Sequence, residues 1–175
     1  KSELLRIKEN KNIHLLLGLR SSVSKNAMAF LLAEVIGKCI REEETNETLY
    51  SFIESQILLL DGCEKQYANF HLYCLVQLSK YIGINPSYKN NFCCFDIKEG
   101  VFAESIPLHP HYLGKENAVL LQQLLLLSWE EVQEIKLNGN HRSQFLHELI
   151  QYYQYHVPGF QVPKSLEILE EVFHA

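Results

Sequence analysis

Several cysteine and histidine side chains lie close enough in the sequence to be candidate metal ligands. His71 and Cys74 lie three residues apart in a segment with helical periodicity, Cys93 and Cys94 are adjacent, and a His-Pro-His triplet spans residues 109–111. Zinc sites in proteins combine thiolate and imidazole ligands. Adjacent cysteines in a strand point to opposite faces, however, and no Cys-x-x-Cys pair is present. The pattern therefore predicts no bound metal.

Catalytic groups of other kinds also lack the local sequence that their chemistry needs. The chain contains no Gly-x-Ser-x-Gly segment, and Gly114-Lys115 lacks both the upstream glycine and the following hydroxyl of a phosphate-binding loop. These patterns indicate neither a catalytic site nor a cofactor. A metal-dependent enzyme built around Cys93, His109 and His111 is the less favoured alternative.

The basic residues are scattered along the chain rather than clustered. The sequence has 16 lysines and arginines against 21 acidic residues, a formal net charge of −5 and a pI of about 5.9. Domains that bind nucleic acid through bulk charge are usually basic. Two sets could nevertheless form local cationic patches: Arg20 with Lys25 near the first helix, and Lys80 with Arg142 and Lys164. A cationic rim beside an apolar groove would suit a peptide carboxylate, and a solvated surface of mixed charge is the alternative.

The cysteine content and the length of the apolar segments predict the cellular compartment. The five cysteines are odd in number, and Cys39 and Cys74 lie within apolar helical stretches, as reduced and buried thiols do. No basic leader followed by a short apolar run is present, and no apolar run is long enough to span a bilayer. We therefore expect a cytoplasmic protein in a reducing compartment.

The central element predicted from the sequence is a helix over residues 68–83, which carries His71, Cys74 and Lys80 and is apolar on most of its circumference. Such a helix is normally surrounded by others, and Gly83 is suited to the left-handed turn that ends it. Phe30 lies in the apolar stripe of an earlier helix, and Ile57 is expected to be buried. The predicted fold is mainly α, a helical bundle around a central buried helix. The periodicity predicts its other helices over residues 26–41, 47–60, 117–127, 141–156 and 165–173, with a short one after Ser128.

Residues 84–114 differ in character from the rest of the chain. Residues 92–104 read as two short β-runs around a turn, in which Gly100 supplies the positive φ of a tight hairpin. Residues 107–113 are predicted to be irregular or one short turn. The sequence thus predicts one small β-hairpin insertion in a helical domain.

The ordered set of segments resembles the RecO family of DNA repair proteins, in the form found in Bacteroides-like bacteria. ELIQYYQYHVPGFQVPKSLEIL, at residues 148–169, resembles the C-terminal part of that family. The segments at residues 26–61 and 68–86 resemble the helices that follow its N-terminal OB-fold, and FDIKEGVFAESIPLHPHYL resembles its central insertion. The similarity covers residues 4 to 173 approximately, and its specificity lies in the order of the segments rather than in any one motif.

The resemblance implies a division of the chain. Residues 1–19 would be a trailing strand or linker from a missing N-terminal OB-fold, and residues 20–175 would be the C-terminal helical domain. Many members of the family carry four zinc-binding cysteines just after the central helix. Here Cys93-Cys94 alone occupies that region, so we predict an insertion without zinc. Packing of Phe92, Phe95 and Phe102 onto the helices would stabilise it, and burial of each side chain would contribute roughly 1.5–3 kcal/mol to the free energy of unfolding.

The resemblance also implies a function, that of a recombination mediator without enzymatic turnover. Proteins of this family bind and anneal single-stranded DNA, mainly through the OB-fold. They act with RecR and with single-stranded-DNA-binding protein (SSB) to load RecA. The helical domain is associated with docking the acidic and apolar C-terminal tail of SSB. For the tail's carboxylate we expect Lys80, Arg142 and Lys164. The alternative is direct binding of single-stranded DNA by this domain through Arg20 and Lys25.

Overall fold

The computed structural model describes residues 9, 13–40, 45–87 and 89–174 of the 175-residue chain. Over these residues the chain forms a mainly helical domain with one small sheet, which confirms the predicted fold class. The helices are α1 (Leu17–Ser21), α2 (Val23–Cys39), α3 (Glu47–Gly62), α4 (Phe70–Tyr81), α5 (Lys115–Leu126), α6 (Trp129–Val132), α7 (Gly139–His156) and α8 (Ser165–His174). The strands are β1 (Cys94–Asp96), β2 (Val101–Ala103) and β3 (Tyr112–Leu113).

The central helix α4 is enclosed by its neighbours, as the sequence predicts. It packs against α2, α3, α5 and α7. Phe70, Leu72, Leu75 and Leu78 are each 0% exposed, which places both sides of the helix in the core. Gly83 follows with φ 77°, in the left-handed region that favours glycine at a helix end.

Helix α2 is the second apolar helix, and it is only partly covered. Met28, Leu31 and Val35 face the core and are 0% exposed, and α8 and α4 pack over this side. Phe30 points outward and is 63% exposed, and Ile57 of α3 is 40% exposed. The expectation that Ile57 is buried is therefore wrong. Helical periodicity identifies apolar positions, but the packing of neighbouring helices decides which of them are covered.

The predicted hairpin is present, with an additional strand. Strands β2, β1 and β3 form an antiparallel sheet in that order, and Phe95 of β1 lies opposite both Phe102 and Leu113. Gly100 has φ 72° at the turn between β1 and β2. The prediction that residues 107–113 are irregular is wrong at its end, because β3 pairs with β1. A strand of two residues is too short to show an alternating pattern.

Helices α6 and α7 begin at polar side-chain caps. Ser128 and Glu131 form the predicted capping box of α6, and Asn138 caps α7 by accepting a hydrogen bond from His141 N–H at 2.8 Å. None of the helices in the described ranges is long and apolar enough to cross a lipid bilayer.

Most of the predicted segment 1–19 lies outside the described residues, and the predicted boundary after residue 19 falls within α1. The division at that point stays a prediction.

Candidate functional site

Arg142 lies in the first turn of α7 and is held in place by backbone and amide groups. Its Nε donates to Asn69 Oδ1 at 3.1 Å, and its Nη2 donates to the Leu137 carbonyl at 2.9 Å. Asn69 is itself fixed, because its Nδ2 donates to the Ile135 carbonyl at 2.7 Å. The guanidinium therefore has a defined position between the start of α4 and the start of α7.

The half-buried guanidinium borders a cleft between α4, α7 and α8, which we name the Arg142 cleft. The guanidinium carbon lies 5.6 Å from the centre of the Phe173 ring, and the His71 ring lies 5.9 Å from the same ring. A guanidinium over an aromatic face at this distance makes a cation–π contact. The lining consists of His71, Gly139, Arg142, Ser143, Leu146, Leu169, Glu170 and Phe173.

The Arg142 cleft contains a charged guanidinium, a neutral imidazole and a carboxylate that is hydrogen-bonded elsewhere. His71 is 1% exposed, and burial together with the nearby Arg142 lowers its pKa to about 3, so its imidazole is neutral at pH 7. Burial also lowers the pKa of Arg142, whose side chain nevertheless stays charged. The Glu170 carboxylate accepts hydrogen bonds from Ser143 Oγ and from His147 Nε2. Within the described part of the chain no carboxylate forms an ion pair with Arg142.

This arrangement is suited to a ligand that combines a carboxylate with an apolar group. A guanidinium binds a carboxylate through paired, charge-assisted hydrogen bonds. Leu146 and Leu169 line the cleft next to it and are buried, and the Phe173 ring lies against the guanidinium. The imidazole Nδ1 of His71 has no hydrogen-bond partner among the described residues.

The structure does not bring the three predicted carboxylate-binding residues together. Lys80 lies at the opposite end of α4 from Arg142 and donates to the Leu125 carbonyl and to Gln77 Oε1, each at 2.8 Å. Burial lowers the pKa of Lys80. Since α4 has 12 residues, its ends are separated by about 18 Å. Lys164 is exposed just before α8. Arg142 alone among the three borders the cleft.

The two residues predicted to contact DNA have different environments. Arg20 is exposed on α1. Lys25 is 5% exposed, and its Nζ donates to the Asp61 carbonyl at 2.9 Å and lies 5.3 Å from the centre of the Tyr67 ring. The Lys25 ammonium thus links α2 to the end of α3 and is not presented to solvent.

The cysteines and histidines singled out from the sequence do not assemble into a metal site in the part of the chain described. No group of three or more Cys, His, Asp or Glu residues there is placed to hold an ion. His109 Nε2 lies 3.2 Å from Asp96 Oδ2, and the His109 and His111 rings are 6.0 Å apart. Burial raises the pKa of the Cys74 thiol to about 12, which makes it a poor ligand or nucleophile. Cys74 and His71 are both buried in the core.

Sequence reasoning missed Asn69 and Phe173 as neighbours of Arg142. The position of Asn69 directly before an apolar helix is typical of an N-cap, but its side chain contacts the Ile135 carbonyl and Arg142 rather than the N–H groups of α4, a contact that the sequence pattern does not indicate. Nothing in the sequence indicates that Phe173 lies against Arg142, because the two residues belong to different helices.

Comparison with known proteins gives a consistent set of relatives. The family model described as Recombination protein O C terminal matches residues 20–166. DNA repair protein RecO from Bacteroides fragilis is 34% identical over 175 residues, which cover 98% of this chain and 72% of that protein. The protein of the same name from Christiangramia forsetii is 37% identical over 150 residues, covering 85% of this chain and 62% of that protein. No solved structure matches the chain.

Proposed function

The chain belongs to the family of RecO C-terminal domains, and from this premise we propose that it acts in recombinational DNA repair as a docking module for the C-terminal tail of SSB. The name that its relatives carry, DNA repair protein RecO, supports the role in repair. The Arg142 cleft supports the role in docking. In this proposal the domain binds and positions partners and performs no chemical turnover.

The observation that carries the proposal is a half-buried cation in an apolar cleft. Two hydrogen bonds hold the Arg142 side chain in position before any ligand arrives. Such preorganisation reduces the entropy lost on binding. A peptide with acidic residues followed by a C-terminal Phe would place its carboxylate on the guanidinium. Its ring would pack against Leu146 and Leu169, which are buried in the cleft lining and become accessible when the Phe173 side chain moves aside. Each of these two contacts contributes roughly 1.5–3 kcal/mol.

Arg142→Gln should weaken peptide binding by roughly tenfold or more, because a charge-assisted contact of about 1.4 kcal/mol or more is lost. The measurement is fluorescence anisotropy of a labelled Asp-rich peptide that ends in Phe, titrated with this domain. Lys164→Gln removes an equal charge outside the cleft and should change the dissociation constant less than roughly twofold. Removing the peptide's terminal Phe should also weaken binding.

Two results of this titration would contradict the proposal. One is the absence of saturable binding by wild-type protein that circular dichroism shows to be folded. The other is equal binding by wild type and Arg142→Gln. Unfolding midpoints of both variants, measured in parallel, separate a loss of contact from a loss of fold.

Direct binding of single-stranded DNA is the second candidate, and the position of Lys25 weakens it. The buried Lys25 ammonium leaves Arg20 as the exposed member of the predicted pair. The same assay with a labelled oligonucleotide tests this candidate, for which we expect weak binding that falls steeply with salt. RecR and single-stranded DNA are proposed partners of RecO proteins as a whole, and no surface in the described residues argues for either.

A further inference from the structure

The last turn of α8 resembles the proposed ligand in combining acidic residues with a phenylalanine. Residues Glu170-Glu171-Val172-Phe173 are two acidic residues followed by two apolar ones, and the helix ends at His174. Phe173 lies against the Arg142 guanidinium and the His71 ring. Glu170 Oε1 accepts hydrogen bonds from Ser143 and, at 2.8 Å, from His147 Nε2. The chain therefore covers the Arg142 guanidinium with an acidic and aromatic segment of its own, which forms one wall of the Arg142 cleft.

The rest of α8 is anchored independently of this turn. Leu166 and Leu169 are each 2% exposed against the core. At the start of the helix the Glu34 carboxylate accepts hydrogen bonds from the Lys164 and Ser165 backbone N–H groups, at 3.0 and 2.9 Å. Such a carboxylate satisfies donors that a helix leaves free at its N-terminus.

The last turn itself is held more weakly. Glu170, Val172 and Phe173 are only partly buried, and Glu171 is exposed. The last four carbonyl groups of a helix accept no hydrogen bond within that helix, and terminal turns therefore fray readily. The turn can therefore detach while Leu166 and Leu169 keep the remainder of α8 in place.

His71 is the group that this arrangement leaves unsatisfied. Its side chain lines the Arg142 cleft, is 1% exposed, and has an Nδ1 atom without a hydrogen-bond partner among the described residues. A buried polar atom without a partner is energetically unfavourable. Residues 170–173 thus leave the His71 imidazole without a hydrogen bond, which a ligand with an additional polar group could supply.

We propose that residues 170–173 close the Arg142 cleft over the guanidinium as an intramolecular competitor, which a peptide of acidic residues ending in Phe displaces when it binds. This inference rests on the proposed function of the cleft as a docking site. The apparent affinity for the peptide then equals the intrinsic affinity multiplied by the fraction of molecules in which the cleft is open. Removing it should raise that affinity.

Phe173→Ala tests the inference, because it removes the ring that covers Arg142. In the anisotropy titration this variant should bind the Asp-rich, Phe-ending peptide roughly three- to tenfold more tightly than wild type. A chain that ends at Glu171 should do the same, and it guards against a local effect of the alanine. Ile168→Ala is the matched control, since Ile168 lies on the same helix and is 53% exposed. Its affinity should equal that of wild type.

Hydrogen exchange gives a second, independent measurement. Amides of residues 171–173 should exchange faster in the peptide complex than in the protein alone, whereas the amide of Leu169 should not change. Weaker binding by Phe173→Ala, or unchanged exchange in a saturated complex, would overturn the inference and leave the docking function in place. If neither wild type nor the two open variants bind the peptide, both the inference and the proposed function fail.

Discussion

At the scale of single residues, the buried His71 makes the stability of the protein depend on pH. The pKa of its imidazole is about 3 in the folded protein, because of burial and the nearby Arg142 charge, against an ordinary value of 6.5. Between these two values the unfolded chain binds a proton that the folded protein does not. The free energy of unfolding therefore falls as the pH falls through the window from about 6.5 to about 3.

We predict that wild-type protein loses about 2 kcal/mol of its free energy of unfolding between pH 7 and pH 5 through His71 alone. Urea unfolding at pH 7 and pH 5, followed by circular dichroism, measures this loss. His71→Gln should show a smaller difference between the two pH values, whatever its stability at pH 7. His14→Gln, at an exposed histidine, should keep the wild-type difference. An equal pH dependence in wild type and His71→Gln would contradict the assignment.

At the scale of secondary-structure elements, the hairpin depends on the conformation of Gly100. This residue has φ 72°, and a Cβ atom there would lie 3.0 Å from Cε1 of His156. The His156 ring is not free to move away without loss, because its Nε2 is hydrogen-bonded to the Ile97 carbonyl at 2.8 Å. The turn between β1 and β2 therefore excludes a side chain for both backbone and packing reasons.

Gly100→Ala should accordingly reduce the free energy of unfolding by about 1–2 kcal/mol, the usual penalty for a left-handed residue with a Cβ atom. Gly37→Ala provides a control of opposite sign. Gly37 lies within α2, and nothing lies within 4 Å of the position that its Cβ atom would take. Alanine there should stabilise the protein by roughly 0.5–1 kcal/mol. Equal effects of the two substitutions in urea unfolding would refute the explanation.

The sequence predicts elements well where one periodicity extends over several turns. The central helix and the hairpin are confirmed because α4 is apolar on most sides and Gly100 marks the turn. Strand β3 escapes prediction because two residues carry no pattern, and only its pairing with β1 makes it a strand. Phe30 shows the complementary limit, since its apolar character does not reveal that no described helix covers it.

At the scale of the whole molecule, the position of the cationic residues depends on how the helices pack. Lys80 and Arg142 belong to α4 and α7, which are neighbours in the bundle. Nothing in their sequence positions indicates that Arg142 meets the start of α4 while Lys80 lies at its end. The burial of Lys25 also depends on packing that the sequence does not show, because its ammonium donates to the carbonyl of Asp61, which is 36 residues away in the sequence. Sequence reasoning therefore identified Arg142 as a candidate but could not place it in a cleft.

The insertion is joined to the helical bundle by aromatic side chains. The Phe92 and Phe95 rings lie 4.7 and 4.9 Å from Phe102, and Phe95 lies 5.7 Å from Tyr152 of α7. Phe95 and Phe102 are 1% and 3% exposed. Aromatic pairs at such distances contribute beyond their buried area. This cluster connects the sheet to the bundle through apolar contacts, the role that the sequence analysis gave to these phenylalanines.

If this cluster rather than a metal ion holds the insertion, a chelator should leave the unfolding midpoint unchanged. Phe102→Ala should instead lower the free energy of unfolding by about 3–5 kcal/mol, because it removes a buried ring. Phe30→Ala is the control, because an exposed phenylalanine should change stability by less than roughly 0.5 kcal/mol. Circular dichroism in urea, with and without EDTA, measures both effects, and elemental analysis of the same sample measures bound zinc. A midpoint that falls on chelation, with about one zinc ion per chain, would instead assign the stability of the insertion to a metal site.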